Sequence, residues 1–198
     1  AYHLLNTIGQ IQENDIALIH AIGGGVGLNL TQLAKLKGAK VIGTVGTPGK
    51  EQRPLECGAD LVIDRTKKDF VTEIEHFFGK QPLTLLIDST GAEILDMSFQ
   101  LMRNLGHVVS YGEASGKPYQ NLWEKLVEKS LTFSRLHIGH MDLTSQYWIN
   151  AQKELQNLIK NEKLKLFVEE IFDLEEFDKI YEKLQSRRVG GKLLLKFK

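Results

Sequence analysis

The chain has 198 residues, of which 42% are hydrophobic and 25% are charged. This composition is typical of a folded globular domain and does not fit intrinsic disorder. The formal net charge is zero, which argues against binding to nucleic acid or to an anionic membrane surface through many basic side chains. No apolar run approaches the roughly 20 residues of a membrane span, and no secretory signal is expected from the residue pattern.

The residue inventory narrows the class further. Cys57 is the only cysteine, which excludes an internal disulfide framework and a cysteine-based zinc site. A reducing, cytoplasmic location is expected. The chain opens on Ala1, and its methionines are all internal, so we expect either a processed N-terminus or a piece of a longer protein.

Apolar runs alternate with helical patterns along most of the chain. Strands are predicted at 16–19, 40–45, 61–63, 83–87, 107–111 and 131–134, and helices at 26–37, 50–57, 70–78 and 94–102. Near-continuous apolar strands are buried on both faces, as in parallel sheets, and alternation with helices indicates crossover connections. The pattern therefore predicts an α/β fold with a doubly wound (Rossmann) parallel six-stranded sheet.

The pattern changes after residue 142. A helix is predicted at 145–161, a strand at 164–172, a helix at 174–187 and a final strand at 192–197. This segment does not extend the alternation cleanly. We therefore expect a dinucleotide-binding domain over 1–142 and, over 143–198, a C-terminal segment that belongs to an incomplete second domain.

A glycine-rich turn lies at the first strand–helix junction. The dinucleotide fingerprint places its glycines at Ile22, Gly24 and Gly27, so the strict pattern fails once. Gly24 still lets a phosphate approach the backbone, and Gly27 still lets the helix pack closely on the sheet. With Gly23, Gly25 and Val26, these residues form a predicted site for the cofactor pyrophosphate at the helix N-terminus.

The end of the second strand indicates which dinucleotide binds. NAD-binding domains place an acid there, about 20 residues beyond the glycines, to hold the ribose 2′-hydroxyl. Gly46 occupies that position, and the cations Lys50 and Arg65 follow it. A 2′-phosphate is repelled by a carboxylate and pairs with cations. The sequence therefore favours NADPH over NADH.

Five segments together resemble a known family. The runs 20–27, 37–47, 57–64, 87–91 and 109–116 are similar, in order and spacing, to the zeta-crystallin-like NADPH:quinone oxidoreductases. These form the zinc-free branch of the medium-chain dehydrogenase/reductase superfamily. The resemblance implies transfer of reducing equivalents from NADPH to a quinone.

The resemblance also implies roles for single residues. The family's glycine-rich turn matches Gly23, Gly24, Gly25, Val26 and Gly27, and its 2′-phosphate lysine matches Lys50. Arg65 stands where the family often has a tyrosine. The remaining implied cofactor contacts are Gly46, Ser89, Tyr111, Gly112, Ala114, Arg187 and Lys192.

The family normally carries a catalytic domain before the glycine-rich turn. The resemblance therefore implies that this chain is the C-terminal portion of a longer enzyme, inactive by itself, whose acceptor-lining residues lie elsewhere. The catalytic residues stay unassigned. No metal is expected, because His137 and His140 have no convincing third ligand nearby.

Several alternatives stay open. The acceptor is a quinone or, as in enoyl and acrylate-type reductases of the same branch, an enone, and a non-catalytic NADPH-binding module is a further alternative. A methyltransferase is disfavoured because Gly46 supplies no acid for the ribose. Members of this family often dimerise, which implies a homodimer joined at the edge strand 131–135.

Overall fold

The computed structural model describes residues 1–117, 119–186 and 188–197. Its main feature is a six-stranded sheet, every pair of which is parallel, with the order β3-β2-β1-β4-β5-β6. This is the predicted α/β doubly wound arrangement. The strands are β1 (Ile16–His20), β2 (Lys40–Val45), β3 (Leu61–Asp64), β4 (Leu83–Asp88), β5 (Met102–Ser110) and β6 (Thr132–Arg135).

Helices connect the strands and cover both faces of the sheet. The helices are α1 (Gly25–Leu36), α2 (Gln52–Glu56), α3 (Phe70–Phe78), α4 (Ala92–Phe99), α5 (Leu122–Lys129), α6 (Gln146–Lys160) and α7 (Phe177–Gln185). A π-helical segment (His3–Ile8) precedes β1, and short 3₁₀ segments lie at Ile138–His140 and Leu174–Glu176.

Two hydrophobic clusters lie on opposite faces of the sheet. Ala17 and Ile19 of β1 point into the first cluster, which includes α1 residues, and Leu18 points into the second, which includes Phe70 and Ile74 of α3. All three β1 side chains are fully buried. The two-residue side-chain period of a strand that is covered on both faces explains why β1 reads as a continuous apolar run.

The region around β5 differs from the prediction. The predicted helix 94–102 ends at Phe99, and β5 begins at Met102, five residues before the expected start at 107. The pairing of β4 with β5 shifts register between Leu83 and Leu85, and Leu105 has a positive φ of 61°. The strand therefore contains an irregularity that interrupts the alternation of buried and exposed side chains. Its first half could not be predicted from a two-residue period for this reason. Helix α5 was not predicted.

Residues 143–198, called the tail below, pack at several points on the region that contains the six-stranded sheet. Leu164 is buried in the first core cluster, and Leu155 and Leu158 of α6 pack against that cluster. The His3 ring stacks on Trp148 of α6, with ring centroids 5.1 Å apart. Beyond these contacts, β7 (Val168–Asp173) and β8 (Lys192–Lys196) form a second, two-stranded parallel sheet, which starts later than the predicted strand at 164.

Candidate functional site

The candidate site lies at the carboxyl ends of the parallel strands. Strands β1 and β4 are neighbours in the sheet, and their connections leave in opposite directions along the strand order. A crevice forms at such a switch point, and ligands of open α/β sheets bind there. The glycine-rich turn follows β1, and the segment beginning at Ser89 follows β4, so both predicted segments meet at this edge.

The turn after β1 presents backbone N–H groups to the crevice. Ala21 adopts a left-handed conformation with φ 52°, and the Gly24 N–H donates to the Ala21 carbonyl at 3.0 Å. Helix α1 begins directly after Gly24, and it has no side-chain cap and no acidic residue in its first turn. The first N–H groups of a helix have no partner within the helix and carry its positive dipole end. This N-terminus suits an anionic phosphate.

Ile22 replaces the first glycine of the fingerprint, and the structure accommodates it. The Ile22 side chain is fully buried and lies over Gly43 of β2, where a Cβ would come within 2.2 Å of Ile22 Cδ1. A Cβ at Gly27 would lie 2.4 Å from the Ile22 carbonyl oxygen. Glycine at both positions therefore lets the turn, β2 and α1 approach one another with a bulky residue at the first position.

The Arg65 guanidinium lies against Gly46. A Cβ at Gly46 would lie 2.9 Å from Arg65 Nη2, so a larger residue there would require the guanidinium to shift. The Arg65 Nε is buried and has no hydrogen-bond partner among the described residues. Burial lowers the pKa of Arg65, whereas the Asp88 and Asp64 carboxylates raise it.

Lys50 lies on the other side of the glycine-rich turn. A Cβ at Gly23 would lie 2.8 Å from the Lys50 carbonyl oxygen, so the two segments are in close contact. Burial lowers the pKa of Lys50, and the nearby Glu169 carboxylate raises it. Lys50 is therefore packed on Gly23, and Arg65 is packed on Gly46.

The segments after β4 and β5 lie side by side. The Ala114 N–H donates to the Ser89 carbonyl at 2.9 Å, and a Cβ at Gly112 would lie 3.2 Å from the same oxygen. Burial raises the pKa of Tyr111, and a hydrogen bond with the Ser89 side chain lowers it. Ser89, Tyr111, Gly112 and Ala114 therefore pack together as one wall at the carboxyl ends of β4 and β5.

Buried Asp88 holds the β4 segment in place. Its carboxylate accepts hydrogen bonds from the Thr90 N–H at 3.0 Å and from the Gly91 N–H at 2.8 Å. Gly91 has a φ of 75°, a conformation that favours glycine. These contacts fix the turn into α4.

The C-terminal loop closes over the start of α1. A Cβ at Gly25 would lie 3.2 Å from the Gly191 carbonyl oxygen and 3.8 Å from Lys192 Cε. Lys192 is therefore brought to the helix N-terminus. Arg187 lies outside the described residues. Val26 is 36% exposed in the first turn of α1.

Two clefts contain residues that the sequence analysis missed, and the first of them borders the glycine-rich turn at Gly23. One, of about 300 Å³, is lined by Gly23, Gly49, Lys50, Gln52, Arg53, Glu56, Glu169, Arg188 and Gly190. The other, also about 300 Å³, is lined by Arg65, Thr90, Gly91, Ala92, Glu93, Ile94, Ala114, Ser115 and Lys117. Arg53 lies only three residues after Lys50, so the sequence did offer a second cation close to the predicted phosphate ligand. Glu169 is distant in sequence, so no local pattern could reveal it.

Comparison with known proteins places this geometry in a family. Residues 25–163 match the family model described as zinc-binding dehydrogenase. The chain belongs to this family. Quinone oxidoreductase 1 of Escherichia coli K12 is 34% identical over 98% of the chain and 60% of its own length. The 2-haloacrylate reductase of a Burkholderia species is 28% identical over 98% of the chain and 59% of its own length.

Solved structures of relatives have the same fold. The Escherichia coli quinone oxidoreductase complexed with NADPH superposes with a TM-score of 0.88 at 33% identity, covering 98% of this chain and 60% of that one. A 2-haloacrylate reductase superposes with a TM-score of 0.87 at 28% identity, covering 100% and 62%. The chain thus spans about 60% of the length of the relatives it matches.

The family description mentions zinc, but the described residues do not fit a zinc site. Among residues 1–117, 119–186 and 188–197, no group of three or more His, Cys, Asp or Glu side chains is arranged to hold a metal ion. The His137 and His140 rings lie with centroids 4.7 Å apart but belong to no such group. Within the same residues, no helix is long and apolar enough to cross a membrane.

Proposed function

We propose that the chain binds NADPH and forms the cofactor-binding portion of an oxidoreductase that transfers reducing equivalents from NADPH to a quinone. The observation that carries this proposal is the Arg65 guanidinium lying against Gly46, beside an uncapped glycine-rich helix N-terminus. This combination suits a dinucleotide that carries a 2′-phosphate. The NADPH complex of a relative that is 33% identical supports the cofactor.

The residues at the crevice fit such a cofactor. The pyrophosphate would lie on the turn formed by Gly23, Gly24, Gly25, Val26 and Gly27, where added side chains would meet neighbouring atoms at Gly23 and Gly27. Gly46, Lys50 and Arg65 would hold the 2′-phosphate side. Ser89, Tyr111, Gly112 and Ala114 would line the ribose and nicotinamide side, and Lys192 with Arg187 would add positive charge from the C-terminal loop.

The reduced nicotinamide, when bound, supplies the reducing equivalents, so the chain needs no nucleophile of its own. Its residues would bind the cofactor and hold it in a fixed orientation. The first N–H groups of α1 neutralise phosphate charge, and the buried Asp88 carboxylate fixes the wall at Thr90 and Gly91. The Tyr111–Ser89 hydrogen bond holds the phenol in place at the wall.

A binding titration tests the cofactor. NADPH fluorescence is followed as the chain is added, beside the same titration with NADH. The proposal expects NADPH to bind at least about tenfold more tightly, because cations replace the acid of NAD-specific domains. Equal affinity for both cofactors, or no binding of either, contradicts it.

A charge-removing variant assigns the preference to the site. Arg65→Gln is expected to weaken NADPH binding and to leave NADH binding nearly unchanged. Arg103→Gln is the matched control. Arg103 is exposed and lies at the amino end of β5, whereas the candidate site lies at the carboxyl ends of the strands. If both variants weaken NADPH binding equally, the effect is one of net charge and Arg65 has no special role.

An enone acceptor is the second candidate, favoured by the similarity to the 2-haloacrylate reductase. Steady-state oxidation of NADPH by the full natural protein, with a quinone and with a halogenated acrylate or enoyl thioester, separates the two. Faster turnover with the quinone supports the first candidate. Tight NADPH binding without turnover of either acceptor identifies a non-catalytic binding module.

We also propose a homodimer joined through β6. This strand lies at one edge of the sheet, and no other described strand pairs with its outer side. Helix α5, which leads into it, exposes Trp123 by 75% and Val127 by 58%. An unpaired edge beside apolar side chains favours antiparallel pairing with a second copy. Light scattering that gives the monomer mass at high concentration refutes this.

Three further points complete the proposal. Residues 143–198 are proposed as a segment distinct from the domain 1–142. The exposed apolar side chains of this segment, such as Ile171 and Phe197, are proposed to contact a catalytic domain of the enzyme. This portion is proposed to act without binding zinc, because its described residues lack a suitable ligand set. A cytoplasmic location is proposed from the single cysteine, which is free.

A further inference from the structure

An ion pair joins the tail to the wall of the cleft beside Lys50. Arg53, on α2, places Nη1 in contact with both the Glu169 carboxylate of β7 and the Gly190 carbonyl oxygen. The side chains are 38% and 23% exposed, respectively. The pair is therefore partly shielded from water, and its charges act on one another more strongly than fully exposed charges do.

This cleft, which is lined by the proposed 2′-phosphate ligand Lys50, already contains a carboxylate. Lys50, Arg53 and Arg188 supply positive charge to its walls, and Glu56 and Glu169 supply negative charge. Glu169 acts on both neighbours, because it pairs with Arg53 and its field raises the pKa of Lys50. Two of the three cations therefore interact with the same internal carboxylate.

We infer that Glu169 is a specificity-determining residue that competes with the cofactor 2′-phosphate for the cations of this cleft. The inference rests on the proposed function and concerns how strongly NADPH is preferred over NADH. A phosphate carries more charge than a carboxylate and has three acceptor oxygens. Its arrival draws Arg53 from Glu169 and makes Arg53 a further phosphate ligand. Repulsion from Glu169 opposes this exchange and limits the preference for NADPH over NADH.

The first test is Glu169→Gln, which keeps the shape of the side chain and one acceptor oxygen and removes its charge. Dissociation constants for NADPH and NADH are measured by calorimetry at low and high salt. The inference expects NADPH to bind roughly tenfold more tightly than to the wild type, with NADH little changed. The gain is expected to shrink at high salt because screening weakens the repulsion.

Glu170→Gln is the matched control. Glu170 is the next residue of β7 and pairs with Lys183 of α7 rather than with Arg53. The control removes the same charge from the same strand and is expected to change neither affinity. An equal gain in both variants overturns the inference, since net charge alone would then explain it.

A second pair of variants separates competition from a structural role. Arg53→Gln is expected to weaken NADPH binding, because it removes a cation and leaves Glu169 without its partner. Adding Glu169→Gln to it is expected to restore much of that loss. If the ion pair only anchors β7 to α2, Glu169→Gln instead weakens both cofactors and lowers the melting temperature, and the double variant shows no recovery.

The outcomes distinguish the inference from the proposed function. Wild-type preference for NADPH with no change in Glu169→Gln overturns the inference and leaves the proposed function standing. A wild type without preference contradicts the NADPH preference of the proposed function, and a preference gained in Glu169→Gln would still show that Glu169 opposes 2′-phosphate binding. A wild type and variant that both lack any preference overturn both.

Discussion

Acidification should destabilise the chain through His20, which is fully buried at the end of β1. Its Nε2 lies 2.8 Å from Ser98 Oγ and its Nδ1 lies 2.7 Å from Thr44 Oγ1. The Ser98 hydroxyl donates to the Ile94 carbonyl, so its oxygen accepts from His20 Nε2–H. The neutral ring is thus satisfied on both nitrogens. Burial lowers the pKa of His20 from 6.5 to about 4, although the Asp88 carboxylate raises it.

The pKa shift sets the direction and size of the effect. Because the folded pKa lies below the unfolded value, the unfolded chain binds more protons between pH 6.5 and 4, and stability falls as the pH falls through this window. One pKa unit corresponds to about 1.4 kcal/mol, so the full shift is worth roughly 3 kcal/mol. Between pH 7 and pH 5 the expected loss in the free energy of unfolding is about 2 kcal/mol.

Urea unfolding at several pH values between 7 and 4.5 measures this loss. His20→Gln, which keeps one hydrogen bond, is expected to flatten the pH dependence by about 2 kcal/mol, and the exposed His76→Gln is expected to leave it unchanged. His3 and His107, whose pKa values burial also lowers, contribute to the residual slope, as do carboxylates with lowered pKa values such as Asp69 and Asp96 near the acidic end of the range. A wild-type His20 ring that titrates above pH 6 by NMR refutes the mechanism even if the variant fails to fold.

Three further predictions follow from single contacts. Gly46→Asp should weaken NADPH binding at least about tenfold relative to NADH binding in a fluorescence titration. Its Cβ would lie 2.9 Å from Arg65 Nη2, and its carboxylate would repel the phosphate. An unchanged ratio of the NADPH and NADH affinities contradicts this prediction. Gly27→Ala should lower the free energy of unfolding by about 2–4 kcal/mol, because its Cβ would lie 2.4 Å from the Ile22 oxygen; Gly24→Ala, where the nearest atom is 3.3 Å away, should cost less than half as much. Lys129→Met should cost about 2–3 kcal/mol, because Nζ donates to the carbonyls of Phe99, Gln100 and Met102 at 3.0 Å each; a loss no greater than that of the partly exposed Lys125→Met would contradict the role.

The regular part of the fold was predictable because its signals are local. Helix α3 spans Phe70–Phe78 as predicted, because an apolar stripe follows Asp69, whose side chain accepts hydrogen bonds from the first-turn N–H groups. The first half of β5 was not predictable, because Leu105 adopts a positive φ within the strand. Helix α5 carried a local signal that was missed, because Leu122, Trp123, Leu126 and Val127 recur at helical spacing.

The site was predictable to a lesser degree. The glycine-rich turn, Gly46 and Arg65 all follow strand ends, so their meeting at one edge follows from a parallel sheet. The cleft beside Lys50 was not predictable in full. Glu169 reaches Arg53 across 116 residues of sequence, and only the packing of the tail on α2 brings the two together.

The sequence alone determined the periodicity, the strand–helix alternation and the absence of an acid at Gly46, because each depends on neighbours along the chain. Tertiary structure alone decided that Lys50 packs on Gly23 and Arg65 on Gly46 and that an internal carboxylate already pairs with Arg53. It also decided that Ile22 is tolerated in the glycine fingerprint, because Gly43 of the adjacent strand leaves room for its side chain. The strength and selectivity of an anion site depend on distances between charges, and folding sets those distances.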